Sequence, residues 1–367
     1  MKILQVLPEL NSGGVERGTL ELAQHLASKG EESFVMSAGG KLVTQLEAEG
    51  STHITLPVHR KSPSSLFQIA PLRKRLTQHR FDIIHLRSRV PAWISLMACG
   101  TLAPSQRPRI VTTVHGLNSV SPYSAVMTKG ERVICVSEAA QSHVLKNYPK
   151  VNSERLEVIP RGIDPEFYQA TFTPSSQWQA RFLDEFPETN GKQLLTLPGR
   201  ITRLKGHHDF FNIIAQLPSN VHGLVAGGCA PKKQAYLDEL KKHLDEKGLS
   251  SRITFTGQRS DLREILSHSQ VAFSLSTTPE SFGRTTLEAL SLSVPVIGYD
   301  HGGVGEILAT CFPKGCCPMG DTTTAALLAK DLLENPYPIS APGPYTLEAM
   351  LEGTHALYKR LLAEQLR

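Results

Sequence analysis

The sequence predicts an α/β protein made of two doubly wound parallel-sheet domains, and two observations lead to that prediction. Apolar runs of strand length alternate with helical patterns along the whole chain, which is typical of βαβ units. The length of 367 residues exceeds what one ordinary hydrophobic core accommodates and suits two domains.

The first sheet is expected in the N-terminal half of the chain. A helix predicted over Val15–Lys29 carries leucine and alanine at near-helical spacing directly after the first strand. The predicted strands of this half are Ile3–Leu7, Glu32–Ser37, Ile54–Leu56, Ile83–Leu86, Ile110–His115, Arg132–Val136 and Leu156–Ile159.

The second sheet is expected in the C-terminal half. Helical patterns at Ala230–Lys247 and Asp261–His268 separate its predicted strands. These strands are Gln193–Pro198, Gly223–Ala226, Ile253–Thr256, Val271–Leu275 and Val294–Gly298.

Periodicity is lost over Asp164–Gln177, which predicts a linker between domains at 1–168 and 169–349. A proline-rich stretch at 335–344 precedes a last helical pattern, about 350–367, that we expect to pack back on the first domain. Ligands of doubly wound sheets bind at the carboxyl ends of strands, so a binding cleft is expected between the two domains.

Composition excludes several classes of protein. No apolar run approaches the roughly 20 residues that a membrane helix requires. The N-terminal residues lack the features of a signal peptide, which favours a cytoplasmic location. The six cysteines include no Cys-x-x-Cys pair, so we expect reduced thiols and no metal cluster.

The net charge of +5 is concentrated in the segment Arg60–Arg89, where cations alternate with apolar residues at spacings of an amphipathic helix. A solvated helix face is one interpretation, and a surface for anionic lipid or a phosphorylated acceptor is the other. Nucleic acid is disfavoured because the segment lacks aromatic residues interleaved for base stacking. The cations are Arg60, Lys61, Arg73, Lys74, Arg75, Arg80, Arg87 and Arg89.

The strongest functional signal is the stretch from Pro279 to Glu288, which joins an apolar strand to a helix through Gly283. Free backbone N–H groups and the helix dipole at such a turn suit a pyrophosphate. Glu280 and Glu288 would repel phosphates but suit the flanking hydroxyls of a nucleotide sugar. If the intervening residues were fully helical, the two glutamates would be separated by about 12 Å.

Two other strand ends carry residues suited to phosphate. Gly13 and Gly14 follow the first strand and open a helix, although they do not complete a G-x-G-x-x-G dinucleotide fingerprint. Gly199 and Arg200 follow a strand of the second half, with Lys205 shortly after them. Arg200 and Lys205 can meet a diphosphate as a planar fork and as a point charge.

The chain resembles the retaining glycosyltransferases of family 4, which have the GT-B fold of two facing Rossmann-like domains, and among these the bacterial enzymes of the lipopolysaccharide core and related surface glycans. The resemblance rests on the Gly-Gly-Val-Glu start at Gly13, the E-x₇-E stretch Glu280–Glu288, and four further segments. Those segments are Thr113–Gly116, Val133–Ser137, Ile159–Asp164 and Gly199-Arg200 with Lys205-Gly206.

The resemblance implies roles for individual residues. Glu280 would contact hydroxyls of the donor sugar and Glu288 the ribose, while Arg200 and Lys205 would neutralise the diphosphate. His115 would lie near the reaction centre. The remaining residues implied in donor binding are Gly13, Gly14, Gly199, Gly257, Arg259, Ser281, Phe282, Gly283, Arg284 and Thr285.

The base is expected near the loop Thr256–Arg259, with largely main-chain contacts, and Arg161 and Glu306 are second-tier candidates that could equally form a structural pair. The implied reaction transfers a sugar, with UDP-sugar favoured as donor, and uses neither cofactor nor metal. No Asp-x-Asp motif lies in a credible metal site.

Three alternatives remain open from the sequence: a catalytically silent nucleotide-sugar binder, an NAD-dependent oxidoreductase and, more distantly, an epimerase of UDP-N-acetylglucosamine. The expected partners are the nucleotide sugar, a saccharide or lipid-linked acceptor, and the anionic surface of the inner membrane at its cytoplasmic face.

Overall fold

The computed structural model of the protein describes residues 1–11 and 13–364. Its contacts divide these residues into two compact units. The first unit combines Met1–Pro160 with the residues from Glu348 onward, and the second is Arg161–Leu347. Each unit contains one parallel sheet flanked by helices, which confirms the predicted fold class.

The first unit contains a parallel sheet of seven strands in the order β3-β2-β1-β4-β5-β6-β7. Its interior strand β1 contributes fully buried Ile3, Leu4 and Val6, since both faces of a parallel sheet are covered. The strands are β1 (Lys2–Val6), β2 (Glu32–Ser37), β3 (Thr52–Thr55), β4 (Ile83–Leu86), β5 (Arg109–Val114), β6 (Arg132–Cys135) and β7 (Leu156–Val158).

Five helices connect these strands, and a sixth returns to the unit from the end of the chain. The helices are α1 (Gly14–Ser28), α2 (Val43–Ala48), α3 (Ile69–His79), α4 (Arg89–Gly100), α5 (Glu138–Asn147) and, at the C-terminal end, α13 (Leu347–Ala363).

Helix α13 packs on the first unit through Tyr358, whose buried hydroxyl lies 2.6 Å from Nδ1 of His85 on β4. A salt bridge between Arg360 and Glu157 fixes the same helix near β7. The last helix was predicted over about 350–367, and the part of that prediction beyond residue 364 lies outside the described residues.

The second unit has a sheet of six parallel strands in the order β10-β9-β8-β11-β12-β13. The strands are β8 (Gln193–Pro198), β9 (Val221–Ala226), β10 (Ile253–Phe255), β11 (Val271–Ser274), β12 (Val296–Tyr299) and β13 (Cys316–Cys317). The sequence does not predict β13, because two residues are too few for a periodic signal.

Helices connect the strands of the second unit. They are α6 (Ser176–Glu185), α7 (His207–Ala215), α8 (Gln234–Glu246), α9 (Leu262–Ser267), α10 (Arg284–Ser291), α11 (Gly302–Cys311) and α12 (Thr322–Glu334). Short 3₁₀ turns in the two units occupy Pro63–Gln68, Pro104–Gln106, Ser124–Thr128, Ser153–Arg155, Pro187–Thr189, Pro231–Lys233 and Pro313–Gly315.

The segment predicted as a linker is part of the second unit. The Arg263 guanidinium lies 4.0 Å from the ring centroid of Phe167 and 3.9 Å from that of Phe172. Ser267 donates a hydrogen bond of 2.8 Å to the carbonyl oxygen of Phe172. The contacts therefore divide the chain after Pro160, ahead of the segment in which periodicity is lost.

The cationic segment contains the expected helix α3, which buries Leu72 and Leu76. Most of its cations are exposed. Arg87 is only 8% exposed, so the prediction that it is a surface charge is wrong. Arg87 directly follows β4, and its Nη1 donates to Oε1 of Gln5 over 2.8 Å. Among the described helices, none has the length and apolar character needed to cross a bilayer.

The site in the second unit is positioned by its strand order. From the middle of the sheet, β8, β9 and β10 follow one another toward one edge, and β11, β12 and β13 follow one another toward the other edge. The carboxyl ends of β8 and β11 therefore meet at the topological switch point, where ligands of doubly wound sheets bind.

Candidate functional site

An ion pair joins the two loops at this switch point. Lys205, in the loop after β8, places its Nζ 2.7 Å from Oε1 of Glu280, in the loop after β11. Ser276 donates a short hydrogen bond to the same carboxylate oxygen. The structure thus brings together two predicted site residues separated by 75 positions in the sequence.

The charge of Glu280 follows from its surroundings. Burial by itself raises the pKa of this carboxyl group, but the Lys205 ammonium and the hydrogen bonds from Lys205 and Ser276 outweigh burial and lower the pKa below its usual value. Glu280 is therefore ionised at neutral pH. An ionised carboxylate accepts hydrogen bonds from sugar hydroxyls and cannot act as a general acid.

The loop after β8 is shaped by glycine. Gly206 has φ +68°, and a Cβ at this position would lie 2.1 Å from the carbonyl oxygen of Leu275. The N–H of Thr277 donates to the carbonyl oxygen of Leu204 over 2.9 Å, which ties the two loops together. Because of this close approach, only glycine at 206 lets the neighbouring Lys205 reach Glu280.

The start of the same loop is equally crowded. Gly199 has φ +143°, and a Cβ there would lie 3.2 Å from Cε of Lys205, so the lysine stem runs across this glycine. A Cβ on the neighbouring Gly227 would lie 1.9 Å from the carbonyl oxygen of Gly199. Arg200 follows on the exposed side of the loop.

Glu288 lies on the helix that the E-x₇-E stretch enters. Helix α10 begins at Arg284, after Gly283 with φ +99°, so the stretch from Glu280 to Glu288 is helical only from Arg284 onward and the separation of about 12 Å for a fully helical stretch does not apply. Nε of Arg284 donates to Oε1 of Glu288 over 2.9 Å, and the Glu288 side chain is only 9% exposed. The remaining predicted residues here are half-buried Ser281, buried Phe282 and half-buried Thr285 in the first helical turn.

The loop after β12, which the sequence indicated only through the second-tier candidate Glu306, also supports Glu280. The N–H of Gly303 donates to the carbonyl oxygen of Glu280 over 2.8 Å, and Nε2 of His301 lies 2.8 Å from the carbonyl oxygen of Ser276. A Cβ on Gly303 would lie 2.4 Å from Cα of Phe282. The glycine pair after β12 carried the available signal, because β12 lies beside β11 in the sheet.

The loop predicted near the base follows β10. Gly257 has φ +71° and open space around it. The Arg259 side chain is bound by two carboxylates, with Nε 2.9 Å from Oδ1 of Asp261 and Nη1 2.6 Å from Oε1 of Glu185. These contacts border a cavity of about 420 Å³ that Trp178 and Gln258 also line.

The predicted residues of the first unit occupy two strand ends. Gly13 has φ +152° and precedes α1, which begins at Gly14, and the Glu16 carboxylate lies against Gly13. His115 directly follows β5 and is half-buried. Of the second-tier candidates, Arg161 begins the second unit and Glu306 lies within α11.

The thiol and metal expectations can be compared with the described residues. All six cysteines are free thiols. A single group of metal-ligating side chains occurs among residues 1–11 and 13–364, formed by His25, Glu352 and His355 of the first unit. None of these residues is a predicted site residue.

Comparison with known proteins matches both halves of the chain to glycosyltransferase sequence models. Residues 12–167 match the sequence model of Glycosyltransferase Family 4, and residues 180–343 match that of Glycosyl transferases group 1.

Curated relatives cover most of the chain. The chain is 25% identical over 345 residues to the N-acetyl-alpha-D-glucosaminyl L-malate synthase of Bacillus anthracis, covering 89% of this chain and 86% of the relative. It is 27% identical over 331 residues to the D-inositol 3-phosphate glycosyltransferase of Mycolicibacterium smegmatis, covering 84% and 72%.

A solved structure shows the same fold. The crystal structure of a glycosyltransferase from Rickettsia africae aligns with a TM-score of 0.80 and 26% sequence identity, covering 98% of each chain. The alignment extends over both parallel-sheet units of this chain.

Proposed function

Since the chain belongs to glycosyltransferase family 4, with the GT-B fold, we propose that it moves a sugar from a nucleoside-diphosphate sugar, UDP-sugar foremost, to an anionic saccharide or glycolipid acceptor with retention of anomeric configuration. The observation that supports the proposal most strongly is the ion pair of Lys205 and Glu280 at the switch point of the second sheet. A lipopolysaccharide core is the acceptor type that the sequence resemblance favours.

The proposal divides the donor between two kinds of group. Arg200, Lys205 and the N-terminal N–H groups of α10 supply positive charge for the diphosphate. Glu280 accepts hydrogen bonds from the sugar and Glu288 from the ribose. The Lys205–Glu280 pair places a cation beside a hydrogen-bond acceptor. This arrangement matches the point in the donor where a phosphate joins the hydroxyl-bearing sugar.

The reaction follows from where negative charge develops. As the bond to the anomeric carbon breaks, its electron pair passes to the leaving diphosphate. Lys205 and Arg200 stabilise the negative charge that develops there. The leaving phosphate oxygen accepts the proton of the acceptor hydroxyl on the same face, so the new bond forms with retention. This scheme includes no enzyme nucleophile and no metal. His115 is proposed to contact the donor sugar near the reaction centre.

The acceptor is proposed to be anionic for two reasons. The names of both curated relatives specify acidic acceptors, L-malate and inositol 3-phosphate. In this chain, the first unit contains a cavity of about 560 Å³ whose lining combines Arg60 and Lys61 with apolar Leu66, Trp93 and Met97. Cations beside an apolar wall suit an anionic amphiphile.

The same region supports contact with an anionic membrane surface. Phe67 is 79% exposed and Leu66 is 50% exposed, beside the exposed cations of α3. Exposed apolar side chains among cations are typical of interfacial helices. We therefore propose contact with an anionic membrane surface, with the cytoplasmic face of the inner membrane as the expected location.

A donor panel tests the proposal. Purified protein is incubated with UDP-, GDP- and ADP-sugars without acceptor, and slow release of free nucleotide diphosphate is measured. Release from one donor class is expected, and NMR of the product formed with an acceptor should show retained anomeric configuration. Thermal stabilisation by UDP with no hydrolysis and no transfer would instead indicate a catalytically silent binder. Stabilisation by no nucleotide sugar would contradict the proposal.

A further inference from the structure

We propose that the first unit contains a Zn²⁺ site formed by His25 of α1 and by Glu352 and His355 of α13. One ligand atom from each of these side chains lies within 4.8 Å of the others. Two histidines and one glutamate are a ligand set that zinc accepts, with a fourth position left for water.

The sequence spacing aims the side chains at one point. Glu352 and His355 are three residues apart on α13, so they project from the same face of the helix. His25 faces them from near the end of α1, with its Nε2 at 3.9 Å from Oε1 of Glu352. The two imidazole rings meet edge to face with centroids 5.8 Å apart.

His25 shows an unused ligand atom. Its side chain is only 11% exposed, and its Nε2 is buried without a hydrogen-bond partner among the described residues. An unsatisfied buried nitrogen destabilises the folded protein unless something binds it. A metal ion would supply that partner.

His355 has the hydrogen bond that orients a metal-ligating histidine. Its Nε2 lies 2.9 Å from Oε1 of Glu31, and the imidazole side chain is only 3% exposed. This bond places the proton on Nε2 and leaves the lone pair of Nδ1 available. Metal-ligating histidines usually donate their second nitrogen to a carboxylate in this way.

Lys29 is the group that a metal must displace. Its Nζ lies 2.6 Å from Oε1 of Glu352, and its side chain is 45% exposed, so it can move into solvent. In a tetrahedral zinc site the ligand atoms are about 3.4 Å apart, so separations of up to 4.8 Å must shorten by up to about 1.4 Å. Glu352, which is 47% exposed, has the freedom to do so.

The bound ion would join two helices that are more than 300 residues apart in the sequence. Binding to the folded state alone stabilises that state by mass action. Zn²⁺ should therefore raise the Tm of the full-length protein.

Titration calorimetry of chelator-treated, untagged full-length protein with ZnCl₂ tests the site. One equivalent is expected to bind, and CoCl₂ should give the visible absorption of tetrahedral cobalt. His25→Gln and Glu352→Gln should each weaken binding by more than about tenfold, and Glu31→Gln by about tenfold to a hundredfold. Asp331→Asn is the matched control, because it removes another lysine-paired carboxylate from a helix, α12, that contains no histidine, and it should leave binding unchanged.

Lys29→Met provides a sharper test, because removal of the competing ammonium should tighten Zn²⁺ binding. Circular dichroism in EDTA checks that each variant is folded. Absence of stoichiometric zinc, or equal binding by His25→Gln, Glu352→Gln and the parent protein, would overturn the proposal. Weaker binding by Lys29→Met would do so as well.

Discussion

The Lys205 ammonium lies 2.7 Å from Oε1 of Glu280, and Ser276 donates a hydrogen bond to the same oxygen. Each partner is fixed by a crowded glycine, since Gly206 approaches the carbonyl oxygen of Leu275 and Gly302 approaches the backbone of Glu280. The ion pair is therefore held by the backbone as well as by charge. Such preorganisation costs little reorganisation when a substrate binds.

Replacement of Glu280 by glutamine tests the assignment of this carboxylate to the sugar. Loss of the ionised acceptor should lower kcat by about a hundredfold, because the interaction strengthens as positive charge develops on the sugar. UDP should bind with a Kd within about threefold of the parent value, since UDP has no donor sugar. Steady-state kinetics and calorimetry with UDP measure both quantities. An unchanged kcat would remove Glu280 from the reaction centre.

Replacement of Lys205 by methionine tests the assignment of the cation to the diphosphate. UDP affinity should fall about tenfold to a hundredfold, and kcat should fall as well, because one charged hydrogen-bond donor is lost. Arg203→Met is the matched control: it removes an exposed cation of the same loop that pairs with Glu239. The control should retain both UDP affinity and kcat. Equal effects of the two substitutions would assign Lys205 only a general electrostatic role.

Much of this site is predictable from the sequence because it is local. Glu280, Gly283 and Glu288 lie in one strand-turn-helix segment, and Lys205 follows an apolar strand whose end is easily recognised. Hydrophobic runs and glycine turns depend on near neighbours, so these elements are found at nearly the predicted bounds.

Other features depend on contacts between distant segments. The support of Glu280 by Gly303 follows from the adjacency of β11 and β12, which no single-sequence pattern specifies. Arg87 belongs to a cationic run in the sequence, yet it is buried beside Gln5 through the pairing of β4 with β1.

Replacement of Gly206 by alanine tests the packing of the two loops. A Cβ at residue 206 would lie 2.1 Å from the Leu275 carbonyl oxygen, so the loop after β8 must shift and both stability and UDP affinity should fall. Gly248→Ala is the control, since Gly248 has a similar φ of +66° and open space around it. In the control, alanine has only to adopt the left-handed backbone conformation, which should lower the free energy of unfolding by about 1 kcal/mol.

Chemical denaturation and UDP titration of both alanine variants separate the effect of backbone strain from that of steric overlap with the Leu275 carbonyl oxygen. A loss of stability in Gly206→Ala no larger than in Gly248→Ala would show that the contact with Leu275 does not restrict the loop.

His207 should make the stability of the protein sensitive to acid. Burial lowers the pKa of His207 to about 4, whereas an unfolded histidine titrates near 6.5. Below pH 6.5 the unfolded state gains a proton that the folded state does not, so stability falls as the pH falls toward 4. The slope from this residue is at most about 1.4 kcal/mol per pH unit.

Denaturation of His207→Gln at several pH values measures this contribution. The variant should lose less stability than the parent protein between pH 6.5 and 4, with part of the slope remaining because burial also lowers the pKa of His85. Parallel curves for the two proteins would contradict the assignment.

Membrane contact is tested by replacing the exposed pair Leu66 and Phe67 with serine. Co-sedimentation of the parent protein with anionic vesicles at low salt is expected, because apolar insertion and charge attraction act together. The double substitution should weaken binding several-fold, whereas Leu327→Ser, at a site 65% exposed in the second unit, should not. No binding of the parent protein would end the membrane assignment.

The most direct measurement is a crystal structure of the protein with UDP. We expect the diphosphate against Lys205 and Arg200 at the end of β8, and the ribose hydroxyls on the carboxylate of Glu288. Ordered UDP bound at any place remote from these three side chains would contradict the central claim.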